Sequence, residues 1–375
     1  MPVLIVTKEK SGVDKYSQEI AKRLDVKKVE SRRYLSLAEA YRLSRLIRSQ
    51  DDIIHLSNQN FARFVLFAKH PYIVTVHDLI RFCFDFAKET VAEKILLKLD
   101  IRGIKRASHV IAVSQHTKND LIGYLKIPED RISVIYNGTD HSIFKPYNVK
   151  FFDKPYILYV GSERPRKNID RLIEAFAILM RDFPDLILVK IGAAGRSEEY
   201  RRATMRKLDS LGITEHVIFI DYLSELDLAH YYSSAALLAY PSLYEGFGFP
   251  PLEAMACGCP VVTSNVSSLP EVVGEAGIMV NPYDTSRLAQ AMREVLTNSQ
   301  LRDYMVRKGL EQAKKFSWER AAEQTQEVYD EVLANKLRDE VVRKGLEQSK
   351  KPSRESAAEQ TQESRNDVAG GKPIR

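Results

Sequence analysis

The sequence is poor in the features that mark secreted, membrane-spanning or metal-stapled proteins. It contains 3 cysteines and 1 tryptophan in 375 residues. Cys83, Cys257 and Cys259 are too few for a disulfide framework, and Cys257-Gly258-Cys259 offers too few ligands for a structural zinc site. We therefore expect three buried thiols in a reducing compartment. No apolar run approaches the roughly 18 residues of a membrane span, and residues 1–6 lack the basic region and cleavage site of a signal peptide.

Several motifs of nucleotide and nucleophile chemistry are missing as well. The sequence has no Gly-x4-Gly-Lys-Ser/Thr phosphate loop and no Gly-x-Ser-x-Gly nucleophile turn. Kinase-like and esterase functions therefore lack support. No recognised nucleic-acid-binding module occurs, so no nucleic-acid partner is expected.

Basic charge is concentrated in the first part of the chain. The whole sequence has a net charge of +6, but residues 1–150 hold 26 basic and 17 acidic side chains, and the remainder holds 30 and 33. Such an excess indicates an anionic partner, for example nucleotide phosphate, a lipid headgroup or nucleic acid. A solvated basic surface explains the same excess equally well.

Short, continuously apolar segments alternate with helical segments along most of the chain. Continuous apolar runs are typical of strands that are buried on both faces of a parallel sheet. A first series of predicted strands covers residues 3–6, 53–56, 72–76, 110–113 and 132–135. A second series covers residues 156–160, 186–191, 217–219, 236–239, 261–263 and 277–280. This double pattern predicts an α/β fold with two Rossmann-like, doubly wound domains.

The domain boundaries follow from this pattern and from a duplication near the C-terminus. We predict an N-terminal domain over 1–150 and a C-terminal domain over 151–335, whose last helix returns toward the first domain. The composition of residues 146–155 predicts the linker between them. Segments 301–328 and 337–364 are identical at 21 of 28 positions, but the second copy has lost apolar anchors such as Trp318. A helix without an apolar stripe cannot offset its ordering entropy, so we expect 336–375 to be a poorly packed tail.

The most informative segment spans residues 244–256. It places Glu245 and Glu253 eight residues apart, on either side of a glycine-containing turn. Pro251 suits the first turn of a helix, which puts Glu245 on a loop and Glu253 in that first turn. A carboxylate accepts from two vicinal hydroxyls, and N–H groups at a helix start attract anions, so the segment favours a nucleotide-sugar site. For either glutamate alone, an acidic residue satisfying the helix dipole is the simpler interpretation.

This segment resembles the signature of the retaining GT-B glycosyltransferases of family 4, the glycogen-synthase and lipopolysaccharide-mannosyltransferase type. The E-x7-E signature of that family matches Glu245 and Glu253. The resemblance covers about residues 1–335 and is strongest over 156–283. It implies that Glu245 contacts the donor sugar hydroxyls and that Glu253 binds the ribose. It also implies that Gly246, Phe247 and Gly248 present main-chain amides to the sugar and phosphates.

A basic loop at 161–168 is the second part of the predicted site. It carries Arg164, Arg166 and Lys167 directly before a predicted helix. Cations at a helix N-terminus form a clamp for a diphosphate. Lys167 matches a lysine of the family, whereas Ser162 stands where the family often has arginine, so Arg164 or Arg166 is left to fill that role. A solvated basic turn is the alternative interpretation.

His77 follows the first-domain strand at 72–76 and matches the family histidine that faces the interdomain cleft. The resemblance implies that His77 is catalytic, together with Glu245, by contacting a sugar hydroxyl or the charge that develops at the anomeric carbon. Isolated histidines are more often structural, but ligands bind at the carboxyl ends of strands in α/β sheets. Asp78 is expected either to orient the imidazole or to cap the next helix.

Weaker matches complete the predicted donor site. Gly12 follows the first strand, where family members carry a glycine-rich loop near the donor phosphate. Tyr222 and Leu223 follow a strand where family members hold the nucleotide base. Ser114 is predicted to cap a helix that lines the cleft.

The sequence contains no Asp-x-Asp, the motif that holds a metal and diphosphate in the other major transferase fold. We therefore expect no metal and no cofactor, with the leaving diphosphate stabilised by Arg164 or Arg166, by Lys167 and by helix-end amides. The family retains anomeric configuration, and no carboxylate nucleophile is assignable. The hypothesis is a same-face reaction in which a departing phosphate oxygen helps to deprotonate the acceptor.

Three functions remain open on these residues. The first is transfer of a hexosyl group from a UDP-, GDP- or ADP-linked sugar to a hydroxyl of a glycan or lipid-linked acceptor. The second is a nucleotide-sugar epimerase or phosphorylase on the same fold. The third is a catalytically silent carbohydrate- or lipid-binding module.

A basic amphipathic stretch could bring such an acceptor to the protein. It contains Arg42, Arg45 and Arg48 with Leu43, Leu46 and Ile47, and apolar side chains follow at Phe61, Phe64, Leu66 and Phe67. One interpretation is peripheral contact with the inner face of a membrane by a cytoplasmic enzyme. The other is a helix packed on the sheet with a basic outer face.

Overall fold

The first half of the chain forms a parallel sheet with flanking helices. The computed structural model describes residues 2–7, 12–31, 37–46, 53–66, 71–83, 90–195 and 197–349. The first six strands are β1 (Val3–Thr7), β2 (Lys27–Ser31), β3 (Ile54–Leu56), β4 (Tyr72–Val76), β5 (His109–Ala112) and β6 (Ile132–Val134). They form one sheet in the order β2-β1-β3-β4-β5-β6, with every pair parallel. The helices between them are α1 (Gly12–Arg23), α2 (Leu37–Leu46), α3 (Ile80–Cys83), α4 (Val91–Arg106) and α5 (Gln115–Leu125).

The second half repeats this plan. Its strands are β7 (Tyr156–Val160), β8 (Ile187–Ile191), β9 (Val217–Ile220), β10 (Leu237–Tyr240), β11 (Val261–Ser264) and β12 (Ile278–Val280). They form a second parallel sheet in the order β12-β11-β10-β7-β8-β9. Its helices are α6 (Ile169–Leu179), α7 (Glu198–Leu211), α8 (Glu225–Ser234), α9 (Phe249–Ala256), α10 (Leu269–Val273), α11 (Thr285–Thr297), α12 (Ser299–Ala313) and α13 (Trp318–Ser349). The predicted fold class, two doubly wound parallel sheets, is confirmed.

The strand orders fix where ligands can bind. Each order reverses direction once, between β1 and β3 in the first sheet and between β7 and β10 in the second. At such a switch point the two flanking connections leave the sheet on opposite faces and open a crevice at the carboxyl ends of the strands. The predicted site residues on the loops after β7 and β10 lie at the second of these two positions.

One strand of the first sheet was not predicted. The charged residues of β2, Lys27, Lys28 and Glu30, are exposed, and Val29 and Ser31 are buried. Exposed and buried positions therefore alternate from residue 28 onward. An edge strand pairs on one side only, so it tolerates charged side chains that a central strand excludes. Its sequence therefore lacks the continuous apolar run by which the other strands were recognised.

Two chain segments cross between the sheets and meet each other. Residues 135–155 connect β6 to β7, and residues 314–317 connect α12 to α13. Thr139 and Ser317 form an isolated parallel bridge between these segments. Gly138 lies so close to the second segment that a Cβ added there would stand 2.2 Å from the Trp318 nitrogen.

The beginning of α13 contacts the first domain. The Trp318 ring is fully buried, with its centroid 6.3 Å from that of Tyr16 on α1 and 6.1 Å from that of Phe249 on α9. Arg23 on α1 forms an ion pair with Glu319 at 2.8 Å. These contacts place the first turn of α13 against both halves of the chain.

The amphipathic stretch at 42–48 is only partly described, and one part of its interpretation is wrong. Leu43 and Phe61 are fully buried in the core of the first domain, so they supply no apolar surface. Arg42 pairs with Glu39 at 2.6 Å. Ile47, Arg48 and Phe67, and the side chains of Arg45, Leu46, Phe64 and Leu66, lie outside the described residues.

Two of the three expected buried thiols are confirmed. Cys257 and Cys259 are free and buried. The side chain of Cys83 lies outside the described residues. Within the described part of the chain, no helix combines the length and the apolar character needed to span a membrane.

The described residues from 329 to 349 belong to a second unit of the chain. Within it, α13 continues to Ser349, and Leu337, Val341 and Val342 are exposed. Residues 350–375 of the predicted tail lie outside the described residues.

Candidate functional site

Two loops at the second switch point are joined by hydrogen bonds. The loop after β7 contains a short 3-10 helix over Pro165–Lys167, and the loop after β10 carries Glu245. The Leu243 N–H donates to the Arg166 carbonyl at 2.8 Å. The Asn168 amide donates to the Pro241 carbonyl at 2.9 Å. The loops that carry the predicted clamp and the predicted sugar-binding glutamate are therefore held against each other by these hydrogen bonds.

Glu245 lies at the centre of a buried charged cluster with Lys167, Arg166 and Tyr240, which we call the Glu245 cluster. Its Oε1 accepts from Lys167 Nζ at 2.6 Å and from the Tyr240 hydroxyl at 3.0 Å. Its Oε2 accepts from Arg166 Nη1 at 3.0 Å. Tyr240 is the last residue of β10, and its contribution was not predicted from the sequence.

The Glu245 cluster carries one more positive than negative charge. Burial alone would raise the pKa of Glu245, but Lys167 and Arg166 outweigh burial and lower that pKa to about 2. Burial lowers the pKa of Lys167 to about 8, against the opposing effect of Glu245. A buried carboxylate between two cations stays ionised. Asp78, which interacts with Arg166 and Lys167, is a second acid beside the cluster.

The turn that carries Glu245 is fixed from a neighbouring loop. Ser267, which has a positive φ of 56°, accepts from the Glu245 N–H at 3.0 Å. The Ser268 hydroxyl donates to the carbonyls of Glu245 and Phe247, at 2.9 and 2.6 Å. These serines lie between β11 and α10, and no sequence signal pointed to them.

The two glycines of the turn have different physical roles. Gly246 touches the His77 carbonyl of the first domain, where an added Cβ would stand 1.7 Å from that oxygen. Gly248 caps α9 with a φ of +122°, a conformation that side chains rarely adopt. Phe247 is buried between Phe249 and Phe316, so only its main chain remains for ligand contact.

Glu253 lies on α9, beyond its first turn. The helix begins at Phe249, earlier than predicted, because Pro250 and Pro251 both fit positions where the N–H is not needed. Glu253 Oε2 accepts from the Tyr232 hydroxyl at 3.2 Å, and Oε1 accepts from Lys15 at 3.3 Å. Burial raises the pKa of Glu253, and Lys15 opposes that shift.

His77 follows β4 and is almost completely buried. Its Nε2 lies 2.8 Å from the Ser57 carbonyl, which can only accept, so Nε2 carries the proton and Nδ1 does not. The Tyr16 ring meets the imidazole edge-on, with centroids 5.1 Å apart. Asp78 Oδ1 accepts from the N–H of Ile80, the first residue of α3, at 3.3 Å, which is a local turn bond just before the helix.

This burial predicts a pH dependence of stability. Burial lowers the pKa of His77 to about 4 and that of His55 to about 3. Because an unfolded histidine protonates near pH 6.5, the stabilisation is complete above that pH and is lost as the pH falls toward 4. Each histidine costs up to about 1.4 kcal/mol per pH unit in this window.

We expect His77→Asn to reduce the pH dependence of unfolding by about one proton between pH 6 and 4.5. Urea unfolding at a series of pH values measures this slope, whatever the change in absolute stability. An unchanged slope would show that His77 is protonated in the folded protein.

The remaining predicted donor residues lie on the loops after β7 and β9 and at the start of α1. Arg164 precedes the 3-10 helix, and its charge contributes to lowering the pKa of Lys167. Tyr222 and Leu223 follow β9, the former exposed and the latter half-buried. Gly12 is the first residue of α1. Among the described residues, no group of three or more His, Cys, Asp or Glu could hold a metal ion.

Contacts between the two domains surround the site. Both Glu271 carboxylate oxygens, on α10, accept from the N–H groups of Gln115 and His116 at the start of α5, each at 2.7 Å. The Tyr244 hydroxyl donates to Asp120 at 2.6 Å and accepts from the Leu79 N–H at 3.2 Å. The domains are thus held together next to the Glu245 cluster.

The cap of α5 explains why Glu271 fits there. The side chain of Ser114 accepts from the Thr117 N–H, as predicted for the N-cap of this helix. Gln115 and His116 keep N–H groups that no intrahelical carbonyl can reach, and a carboxylate at a helix N-terminus is stabilised by about 0.3–2 kcal/mol.

We expect Glu271→Ala to weaken the contact between the domains. If the Glu271 contact stabilises the joined arrangement of the two domains by about 1–2 kcal/mol, its loss lowers the population of that arrangement roughly 5- to 30-fold. Amide hydrogen exchange at Gln115 and His116 should become faster by that factor, and Glu275→Ala, an exposed neighbour, serves as control. Equal exchange in both variants would show that Glu271 does not hold the two domains.

Known proteins match both halves of the chain. Residues 2–143 match the family profile "Glycosyltransferase Family 4", and residues 142–312 match "Glycosyl transferases group 1". The O-antigen chain mannosyltransferase B of Escherichia coli is 32% identical over 319 residues, which cover 80% of this chain and 81% of that protein.

Solved structures share the fold at lower identity. Sucrose-phosphate synthase from Thermosynechococcus elongatus superimposes with a TM-score of 0.74 and 21% identity, covering 89% of this chain and 100% of that one. Anabaena HepE, solved with UDP and glucose, gives a TM-score of 0.75 and 19% identity, covering 88% of this chain and 99% of that one. The fold is therefore GT-B, and the chain belongs to the family 4, group 1 glycosyltransferases.

Proposed function

We propose that the protein is a retaining, metal-independent hexosyltransferase. It transfers a sugar from a nucleoside diphosphate to a hydroxyl of a glycan or lipid-linked acceptor. Mannose is the favoured sugar, because the 32% identical Escherichia coli relative is named a mannosyltransferase. The nucleoside diphosphate is UDP, GDP or ADP.

The Glu245 cluster carries this proposal. Its carboxylate is held by Lys167 at 2.6 Å and Arg166 at 3.0 Å in a buried crevice at the strand ends. An ionised carboxylate accepts from sugar hydroxyls, and the adjacent cations can bind the diphosphate oxygens. Two buried cations beside a carboxylate suit a charged donor better than a neutral glycan.

In the proposed reaction, the protein contributes binding, orientation and electrostatic stabilisation. Glu245 orients the donor sugar, and Glu253 holds the ribose. Arg166 and Lys167, with Arg164 nearby, stabilise negative charge on the departing diphosphate without rearrangement at the moment of reaction. Contact between the domains excludes water that would otherwise hydrolyse the donor.

His77 contributes through position rather than through proton transfer. Its lowered pKa of about 4 keeps the imidazole neutral at neutral pH, and its Nε2 proton is already donated to Ser57. The unprotonated Nδ1 is left as an acceptor for a sugar hydroxyl. A same-face reaction, in which the leaving phosphate oxygen takes the acceptor proton, needs no further base from the protein.

The test is a screen of UDP-, GDP- and ADP-linked hexoses, with nucleoside diphosphate release measured with and without glycan and lipid-linked acceptors. We expect nucleoside diphosphate release that depends on an acceptor and is unaffected by EDTA. NMR of the product should show the anomeric configuration of the donor. Isomerised donor without release would favour an epimerase, and dependence on inorganic phosphate would favour a phosphorylase. Nucleotide-sugar binding without any product would indicate a silent binding module.

We also propose a cytoplasmic location, which suits the free thiols Cys257 and Cys259. Contact with the inner face of a membrane through the basic first domain would bring a lipid-linked acceptor to the cleft. Sedimentation with anionic vesicles at low and high salt tests this contact, because an electrostatic attraction must weaken as salt rises. Equal absence of binding at both salt concentrations would remove the membrane from the proposal.

A further inference from the structure

A lysine of the first domain reaches the acidic residues of the second. Lys15 lies on α1, and its Nζ is 3.3 Å from Oε1 of Glu253 and 2.8 Å from Oε1 of Glu225. The Lys15 side chain is only 16% exposed, and its ammonium lies 4.6 Å from the centre of the Phe144 ring. Lys15 therefore makes a largely buried ion pair between α1 on one side and α8 and α9 on the other.

The contacts of Glu253 leave a defined capacity for a ligand. A carboxylate has about four lone-pair positions, two on each oxygen. Lys15 takes one position on Oε1, and the Tyr232 hydroxyl takes one on Oε2. One position on each oxygen remains, which is the arrangement needed to accept from two vicinal hydroxyls.

We propose that Lys15 is a positioning residue for the donor, which orients Glu253 from the opposite domain so that its free lone pairs meet the ribose hydroxyls. This inference rests on the proposed function, because it assigns Glu253 to the ribose. Lys15 does not contact the reacting atoms in this scheme, and it acts through Glu253.

The charges around Glu253 indicate what the loss of Lys15 does. Glu253 is faced by Lys15 from α1 and by Glu225 and Tyr232 from α8, and Cys257 follows at the end of its own helix. Lys15 is the cation among these groups, and Glu225 is a second acid. Without Lys15, burial and Glu225 both favour the protonated form of Glu253, and a protonated carboxyl is a poorer acceptor.

A contribution to ribose binding acts equally on the bound substrate and on the transition state. Its loss therefore raises the KM for the donor and leaves kcat nearly unchanged. Because Lys15 belongs to the first domain, donor affinity also depends on contact between the domains. This separates Lys15 from the Glu245 cluster, whose residues are expected to change kcat.

The test compares Lys15→Met with Lys22→Met. Lys22 lies on the same helix, is 60% exposed and pairs with Glu19, so its loss removes a charge from α1 without affecting Glu253. We expect Lys15→Met to raise the donor KM about tenfold with kcat within about twofold, and Lys22→Met to leave both unchanged. Lys15→Arg, which keeps the charge, should restore the KM to within about threefold.

A pH series sharpens the comparison. In Lys15→Met the donor KM should rise further as the pH falls, since Glu253 takes up a proton more easily. The KM of Lys22→Met should follow the wild-type profile. An unchanged KM in Lys15→Met, or a lower kcat at unchanged KM, would overturn the proposal.

Further variants distinguish failure of this inference from failure of the proposed function. Lys15→Gln retains a hydrogen-bond donor without charge and is judged by the same criteria if Lys15→Met does not fold. If wild-type protein turns over a nucleotide sugar and the Lys15 variants match it, only the role of Lys15 is wrong. If wild-type protein neither binds nor turns over any nucleotide sugar, the proposed function fails, and this inference fails with it.

Discussion

Replacing Glu245 with glutamine is expected to lower kcat by on the order of 100-fold or more. The substitution keeps the size of the side chain but removes the charge that Lys167 and Arg166 share, at 2.6 and 3.0 Å. Glutamine also brings an N–H₂ group toward those cations, so its side chain turns or the cations move. An amide N–H₂ group that donates hydrogen bonds then faces the sugar hydroxyls, in place of a carboxylate oxygen that accepts from them. Steady-state kinetics with the best donor of the screen measures the effect.

The matched control for this variant is Glu174→Gln. Glu174 accepts from Lys207 and from Thr285, so it also forms an ion pair in the second domain, but it is 40% exposed on the surface. A surface pair of this kind contributes about 0–1 kcal/mol, and turnover should be close to that of the wild type. Near wild-type kcat in Glu245→Gln, with the fold intact by circular dichroism, would remove Glu245 from the mechanism.

Replacing Lys167 with methionine is expected to have an effect of similar size, on the order of 100-fold in kcat/KM. Methionine fills the volume of the lysine stem but leaves Glu245 with Arg166 and the neutral Tyr240 hydroxyl. Since Lys167 and Glu245 are in direct contact, the double variant should lose less than the product of the two single losses. If the double variant loses activity by the full product of the two single losses, Lys167 and Glu245 act independently.

The alkaline limb of the pH profile gives a second readout for Lys167. Burial lowers its pKa to about 8, so its charge is lost as the pH rises through that value. The kcat/KM of the wild type should therefore fall above pH 8, and Lys167→Arg should extend activity to higher pH. Lys207→Met is the control, because Lys207 pairs with Glu174 on α6. A wild-type profile that stays flat to pH 9.5 would contradict the role of the ammonium.

Most of the architecture could be predicted because parallel strands are buried on both faces. Runs such as Tyr72–Val76 and Tyr156–Val160 are mostly apolar and carry no charged side chain, and the structure places strands at those residues. The edge strand Lys27–Ser31 escaped, because its solvent-facing positions are charged. Glu253 was predicted in the first turn of α9, but the helix begins at Phe249, because Pro250 and Pro251 both fit a first turn, and Glu253 lies beyond it.

The predicted site residues were found where a short sequence segment carries several chemical groups together. Glu245 and Glu253 belong to one turn and helix, and Lys167 belongs to one basic loop. The structure brings Glu245, Arg166 and Lys167 into contact and places Glu253 with Lys15 instead. Their roles in catalysis stay predictions until the variants are measured.

Other contacts could not be predicted, because they join residues that are distant in the chain. Lys15 is separated from Glu253 by 238 positions, and Glu271 from Gln115 by 156. Seen in the sequence, Lys15, Glu253 and Glu271 are each one charged side chain on a helix, and Gln115 contributes only its main-chain N–H. Their partners are fixed only when two sheets fold and face each other.

The bridge between Thr139 and Ser317 has a consequence for how the cleft can open. With a single connecting segment, one domain could turn in any direction relative to the other. Two connecting segments that are bridged to each other restrict that motion to a rotation about the line along which they run. When the cleft opens by such a rotation, the displacement of an atom grows with its distance from the bridged segments. Side chains near the bridged segments would then keep their neighbours during opening. The far rim of the cleft would move most and give substrates and products their way in and out.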